Sequence, residues 1–214
     1  MDEPGPGRVT QLRLADFRNY TTLKLDIDSR FVVLAGDNGA GKTNLIEAVS
    51  LLTPGRGLRR ATYGEMARVA GSGGFSVRAG LARSNDEPAD VLTLMRPEAG
   101  VGPHRQVRID AVAARSADEL LDLCRILWLT PAMDGLFTGP AAERRRFLDR
   151  LVLTLHPAHG RRSTDFEKAM RGRNRLLAED RGDDAWLSGV EVQMAELGLA
   201  IALARAETVH RLTA

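Results

Sequence analysis

Cysteine, lysine, long hydrophobic runs and an export signal are all scarce or absent in this chain, and each lack narrows what it can be. The single cysteine, Cys124, cannot form an internal disulfide. The start, Met1-Asp2-Glu3-Pro4, has neither the basic nor the apolar region of a secretory leader, so a reducing cytoplasm is the expected setting. No run approaches ~18 consecutive apolar residues, which by that criterion excludes a membrane span. Only three of the 30 basic residues are lysines, Lys24, Lys42 and Lys168, so arginine does nearly all the cationic work and each lysine warrants inspection. What is present is ordinary for a globular protein: 214 residues, 43% apolar, 27% charged, net charge +2, enough for one domain or one and a half.

The small net charge hides an asymmetry. Residues 141–181 carry 11 basic and 6 acidic side chains, and residues 182–214 carry 2 and 5. The basic stretch suits phosphate contacts, and it equally suits a solvated helix face.

Periodicity sets the elements. Residues 9–15 and 22–27 alternate as half-buried strands joined by a turn at Asn19-Tyr20. Phe31–Ala35 is continuously apolar, the pattern of a strand covered on both faces, and a helix follows from Lys42 with Leu45, Ile46, Val49 and Leu52 on one side. Residues 75–82, 91–95 and 106–112 read as an antiparallel meander, 117–125 as a helix holding Cys124, and 126–129 as a further apolar strand. From 141 onward the pattern is helical. Leu187, Val190, Met194, Leu197, Ile201 and Ala204 step by three and four, the spacing of an antiparallel helix pair connected at Gly182-Asp183-Asp184 and equally of a helix packed on a larger body.

The sharpest signal is Gly36, Asp37, Asn38, Gly39, Ala40, Gly41, Lys42 and Thr43, which fits G-x-x-x-x-G-K-[ST]. At this composition roughly 0.003 matches are expected by chance. Each residue type has a chemical reason. The glycines let the backbone curl its N–H groups around phosphate oxygens, and the following helix adds its positive end. Lys42 should reach the β- and γ-phosphates, and Thr43 should ligate Mg²⁺. The chain is therefore expected to bind ATP with Mg²⁺.

Four stretches together resemble the RecF family, and more distantly the SMC group of ABC-type ATPases. They are Asp16-Phe17-Arg18-Asn19-Tyr20, the run from Gly36 through Glu47-Ala48, Gly55-Arg56-Gly57, and Gly139-Pro140 with Arg144-Arg145-Arg146-Phe147-Leu148-Asp149. The resemblance implies an α/β fold, a P-loop NTPase of the ABC-head type with an antiparallel β lobe and the start of a helical lobe. It places residues 1–150 in the head and 151–214 in the helical lobe or arm. By the same resemblance Arg18 lies near the nucleotide, and Arg56, Arg59 and Arg60 lie near nucleotide or DNA. Arg144, Arg145 and Arg146 are candidate DNA contacts.

The family further implies ATP-dependent dimerisation on DNA at single-strand gaps or junctions, recombination mediator partners, aid to recombinase loading, and no membrane. A Walker B strand and an L-S-x-G-Q signature are not found after residue 44, so the chain is expected to be the N-terminal part of a longer protein that does not hydrolyse ATP alone. An overcoming-lysogenization-type nuclease ATPase and an SMC-like protein remain alternatives. His156 and His159 lack a third metal ligand nearby in sequence, and His104 and His210 stand alone.

Overall fold

A computed structural model describes residues 8–82, 87–98, 100, 102–178 and 184–213. It divides between Trp128 and Leu129 into two compact units. The expected boundary after residue 150 falls inside a continuous helix, Ala141–Leu155, and a helix core is a poor place for a domain to end.

The first unit is built on one antiparallel sheet. Its strands are β1 (Arg8–Phe17), β2 (Tyr20–Asp26), β3 (Phe75–Ala82), β4 (Ala89–Met95), β5 (Gln106–Ile109) and β6 (Val112–Ala113). Their order across the sheet is β2-β1-β3-β4-β5-β6. Register keeps the alternating apolar residues on one face: Leu12 opposes Leu25 and Ala79, and Leu14 opposes Leu23 and Val77. That face is dry, with Leu12, Leu14, Val77, Ala79, Leu81 and Val91 all buried. Phe17 closes one end of the core against Phe75, the rings edge-to-face with centroids 5.4 Å apart.

Against this core packs α1 (Lys42–Ser50), the helix that follows the glycine-rich loop, and the single-turn α2 (Tyr63–Met66) adds Met66 to the same core. Its burial differs from the expected apolar stripe. Glu47, Ala48 and Ser50 are the buried residues, whereas Leu45 and Val49 are half-buried and Ile46 is exposed. Arg105, from the loop before β5, clamps the far end of α1. Its guanidinium donates to the carbonyls of Leu51, Thr53 and Gly55 and to Thr93 Oγ1, meeting acceptors a helix C-terminus leaves unpaired. Burial there pulls the Arg105 pKa down.

Three local expectations need correction. Phe31–Ala35 has no regular structure and lies in no sheet, with Phe31 and Val33 at 85% and 89% exposure. A strand of that composition needs neighbours on both edges, and no described strand runs beside it. Residues 126–129 likewise form no strand, for the same reason. The helix expected over 117–125 is a 3₁₀ segment, Ala117–Asp122, started by a capping box of Ser116 and Glu119. Cys124 follows it, its Sγ donating to the Leu52 carbonyl at 3.3 Å; burial pushes its thiol up to about 11, which makes it a packed group rather than a reactive one.

The second unit is helical: α3 (Ala141–Leu155), α4 (His159–Ala178) and α5 (Asp184–Thr213). The stripe read from sequence is the packed face of α5, with Ile201, Ala204 and Thr208 buried. Arg173 of α4 pairs with Glu191 of α5 at 2.7 Å, and Phe166, earlier on α4, faces Gly198, later on α5, so the two helices run antiparallel. Gly182 and Asp183 of the expected connection lie outside the described residues.

Run length proves too strict a test for a membrane span. The 30-residue α5 reaches a mean hydropathy of 1.4 and is long and apolar enough to cross a bilayer by length and composition. Its charged residues argue for packing against protein. Glu191 and Arg205 are tied to α4 and α3, and Glu207 pairs with Arg211; charges at such depth in a bilayer are costly.

Candidate nucleotide site

The glycine-rich loop joins the irregular segment at 31–35 to α1. Gly36, Gly39 and Gly41 all sit at positive φ (142°, 88° and 103°), where a side chain would be strained. The Ala40 N–H turns back to the Asp37 carbonyl at 3.2 Å, and the N–H groups of Asn44 and Leu45 turn back to Gly41. Gly41 caps α1 with no side chain accepting from its first turn. The N–H groups of Gly41, Lys42 and Thr43 have no hydrogen-bond partner among the described residues, which leaves them for an anion at the positive end of the helix. Lys42 closes over the loop, its Nζ donating to the carbonyls of Gly36 at 2.6 Å and Asp37 at 2.8 Å. Thr43 is exposed at the same helix end. Asn38, Gly39 and Ala40 form the exposed rim.

The β1–β2 turn is pressed against this loop. A Cβ on Gly41 would meet the Tyr20 hydroxyl at 2.5 Å and Asn19 Nδ2 at 2.7 Å, so only glycine fits there. Asn44 Nδ2 donates to Asn19 Oδ1 at 2.7 Å. The turn itself is held in an uncommon shape, with Asp16 and Arg18 both at positive φ (47° and 55°). Two groups of bonds offset that strain. The Arg18 N–H donates to the Met66 carbonyl and the Arg68 N–H to the Asp16 carbonyl. The Asp16 carboxylate accepts from Arg68 Nε at 2.9 Å and from the Ser72 N–H and hydroxyl, and these bonds hold its pKa below the usual carboxylate range.

Arg18 reaches α1. Its Nε and Nη2 donate to the two oxygens of Glu47 at 2.9 and 2.7 Å, and its Nη1 donates to the Glu65 carbonyl at 2.7 Å. Glu47 is fully buried and also accepts from Arg59 Nη1 at 3.1 Å. The same Arg59 nitrogen donates to Asn44 Oδ1 at 2.8 Å. Arg18, Arg59, Arg60 and Arg68 line one cavity of about 840 Å³ with Glu65 among them. Of the candidates from sequence, the structure therefore gathers Arg18, Arg59 and the loop around α1, with Arg60 on the cavity wall.

Glu47, Asn44, Asn19 and Tyr20 were not singled out from sequence as site residues. A glutamate in an apolar helix reads as its solvent side. The usable signal was its place four residues after Thr43, on the same helical face.

The other arginine group lies in the second unit, on α3. Arg144 is half-buried, its Nη1 donating to the Gly139 carbonyl at 2.6 Å. Arg145 and Arg146 face solvent, and Arg146 is paired with Glu143. In the same unit Asp149 accepts from the buried His159 at 2.8 Å and from Arg205 Nε and Nη2 at 2.8 and 3.0 Å. Burial would raise the Asp149 pKa, but the bonds from His159 and Arg205 outweigh it and hold the carboxyl down at about 2. No group of three metal-ligating side chains gathers among the described residues.

Comparison with known proteins agrees with this geometry. Residues 11–78, which include the β1–β2 turn and the whole loop, match the model of the AAA domain family. RecF of Rhizobium leguminosarum bv. trifolii (strain WSM2304), described as a DNA replication and repair protein, is 58% identical over 96% of this chain. The chain belongs to the RecF family. RecF of Mesorhizobium japonicum is 56% identical over 99% of the chain. The chain spans about half the length of these relatives, 54% and 55%. Two solved structures of a recombination mediator protein RecF of the RecFOR pathway, described as RecF-ATPrS and RecF-ATP, share the fold. Their TM-scores are 0.86 and 0.84, each at 21% identity, and the match covers 97% of this chain and 55% of theirs. The fold is the α/β P-loop head of ABC type with its antiparallel β lobe and helices.

Proposed function

We propose that this RecF-family chain is the nucleotide-binding part of an ATP-dependent DNA repair and replication factor. The observation that carries the reading is the loop itself: three glycines at positive φ, unpaired N–H groups at the start of α1, and an ammonium folded over the loop carbonyls. The residues fit a triphosphate. Gly36, Asp37, Asn38, Gly39, Ala40 and Gly41 would supply the backbone cradle, Lys42 the ammonium, Thr43 the hydroxyl for Mg²⁺, and Arg18 a guanidinium beside it. Bound Mg²⁺–ATP supplies the charge that these donors recognise.

In the whole protein, ATP would bring two copies together on DNA at single-strand gaps or junctions, where mediator proteins and the recombinase act. Arg145 and Arg146, with Arg59 and Arg60 and more weakly Arg144, are the proposed DNA backbone contacts. Coupling nucleotide to dimer formation makes DNA affinity nucleotide-dependent. The missing Walker B and signature sequences predict that this chain binds ATP without appreciable turnover.

The experiment is titration calorimetry of the chain with Mg²⁺–ATPγS. K42M, which keeps side-chain length and removes the ammonium, should abolish the binding heat while circular dichroism stays native. Equal binding by K42M would overturn the site. Robust hydrolysis by the purified chain would overturn the claim that it lacks part of the catalytic machinery.

A further inference from the structure

Burying a carboxylate against the core requires compensation, and Glu47 finds it in two arginines from different parts of the chain. Glu47 stands four residues beyond Thr43 on the same face of α1, a rise of about 6 Å along the helix axis. The guanidinium that it grips is held against the helix that the loop opens, and the turn that carries it touches the loop at Gly41. An arginine has five N–H groups. The three bonds made by Arg18 leave one N–H on each of Nη1 and Nη2 for an incoming oxyanion.

Arg59 adds a second tether. One of its nitrogens bridges Glu47 and Asn44, and Asn44 in turn holds Asn19 of the turn that carries Arg18. The helix, the β1–β2 turn and the 55–60 segment thus meet at one carboxylate. Side-chain freedom that Arg18 would otherwise lose on meeting a ligand has already been removed.

We propose that Glu47 is a positioning residue of the nucleotide site: its carboxylate fixes Arg18 for contact with the terminal phosphate of a nucleoside triphosphate, with Arg59 steadying the pair. The proposal rests on the reading of Gly36–Thr43 as an ATP site. It explains why a charged side chain, rather than Leu45, Ile46 or Val49, occupies a fully buried position of α1.

The test uses the 214-residue chain, with Mg²⁺–ATPγS and Mg²⁺–ADP as probes and circular dichroism to establish folding. In E47Q the guanidinium loses its ionic clamp, and affinity for Mg²⁺–ATPγS should fall about tenfold while affinity for Mg²⁺–ADP falls less than twofold. E47D, which keeps the charge on a shorter stem, should recover part of the loss. R18A should lose a similar factor, and E47Q/R18A should lose no more than R18A alone.

Equal loss for both nucleotides, or additive losses in the double variant, would assign Glu47 to packing and overturn the proposal. Unchanged ATPγS binding in both E47Q and E47D would do the same. A wild-type chain that binds neither nucleotide would instead overturn the ATP site itself, and the proposal with it.

Discussion

In each unit a carboxylate accepts hydrogen bonds from two side chains of other segments, and the two clusters differ in what they hold together. In the first unit Glu47 is fully buried and its partners, Arg18 and Arg59, come from a strained turn and an irregular segment. In the second, Asp149 on α3 is partly exposed and its partners are His159 on α4 and Arg205 on α5. The Asp149 cluster fastens regular helices to each other, a task that packing already shares. The Glu47 cluster fixes segments that have no regular structure of their own on the helix proposed to bind the nucleotide. Similar chemistry supports packing in one place and site geometry in the other.

The largest expected effect comes from removing the buried centre. E47A leaves the largely buried Arg18 guanidinium without its carboxylate and should cost on the order of 3–5 kcal/mol, read as a large fall in the denaturation midpoint. D149N keeps one acceptor for His159 and Arg205 and should cost about 1–3 kcal/mol, with no change in nucleotide affinity. If D149N weakened nucleotide binding as E47Q is expected to, the contrast between the clusters would fail.

Acid sharpens the contrast. The Asp149 carboxyl is held at about 2, below its unfolded value near 3.9, so its stabilising effect is complete above pH ~4 and disappears as pH falls toward 2. Helical circular dichroism of the wild type should decline through that window, and D149N should flatten this component. The smallest effect belongs to the exposed Arg146–Glu143 pair: E143Q should leave the melting temperature within error, because solvent and salt screen such pairs.

Much of this was legible beforehand. The meander, α1, the helix pair and the glycine-rich loop follow from periodicities of two and of three to four and from glycine spacing, because in each case the partner element lies within the chain. The segment 31–35 misled for the opposite reason. Its apolar run is that of a buried strand, but pairing depends on neighbours, and no described strand runs beside it. Glu47 was invisible as a site residue because its partners stand 29 and 12 positions away and meet only in the fold. Arg105 was missed likewise; nothing around Pro103-His104-Arg105 announces a clamp on the end of α1.

The phenol resting on Gly41 gives the molecule a built-in reporter. The chain has two tyrosines, Tyr20 and Tyr63, so fluorine-labelled tyrosine would yield a spectrum of two lines. The line from Tyr20 watches the loop across a gap too narrow for a methyl group, and any shift of the loop must register there before it reaches the rest of the sheet.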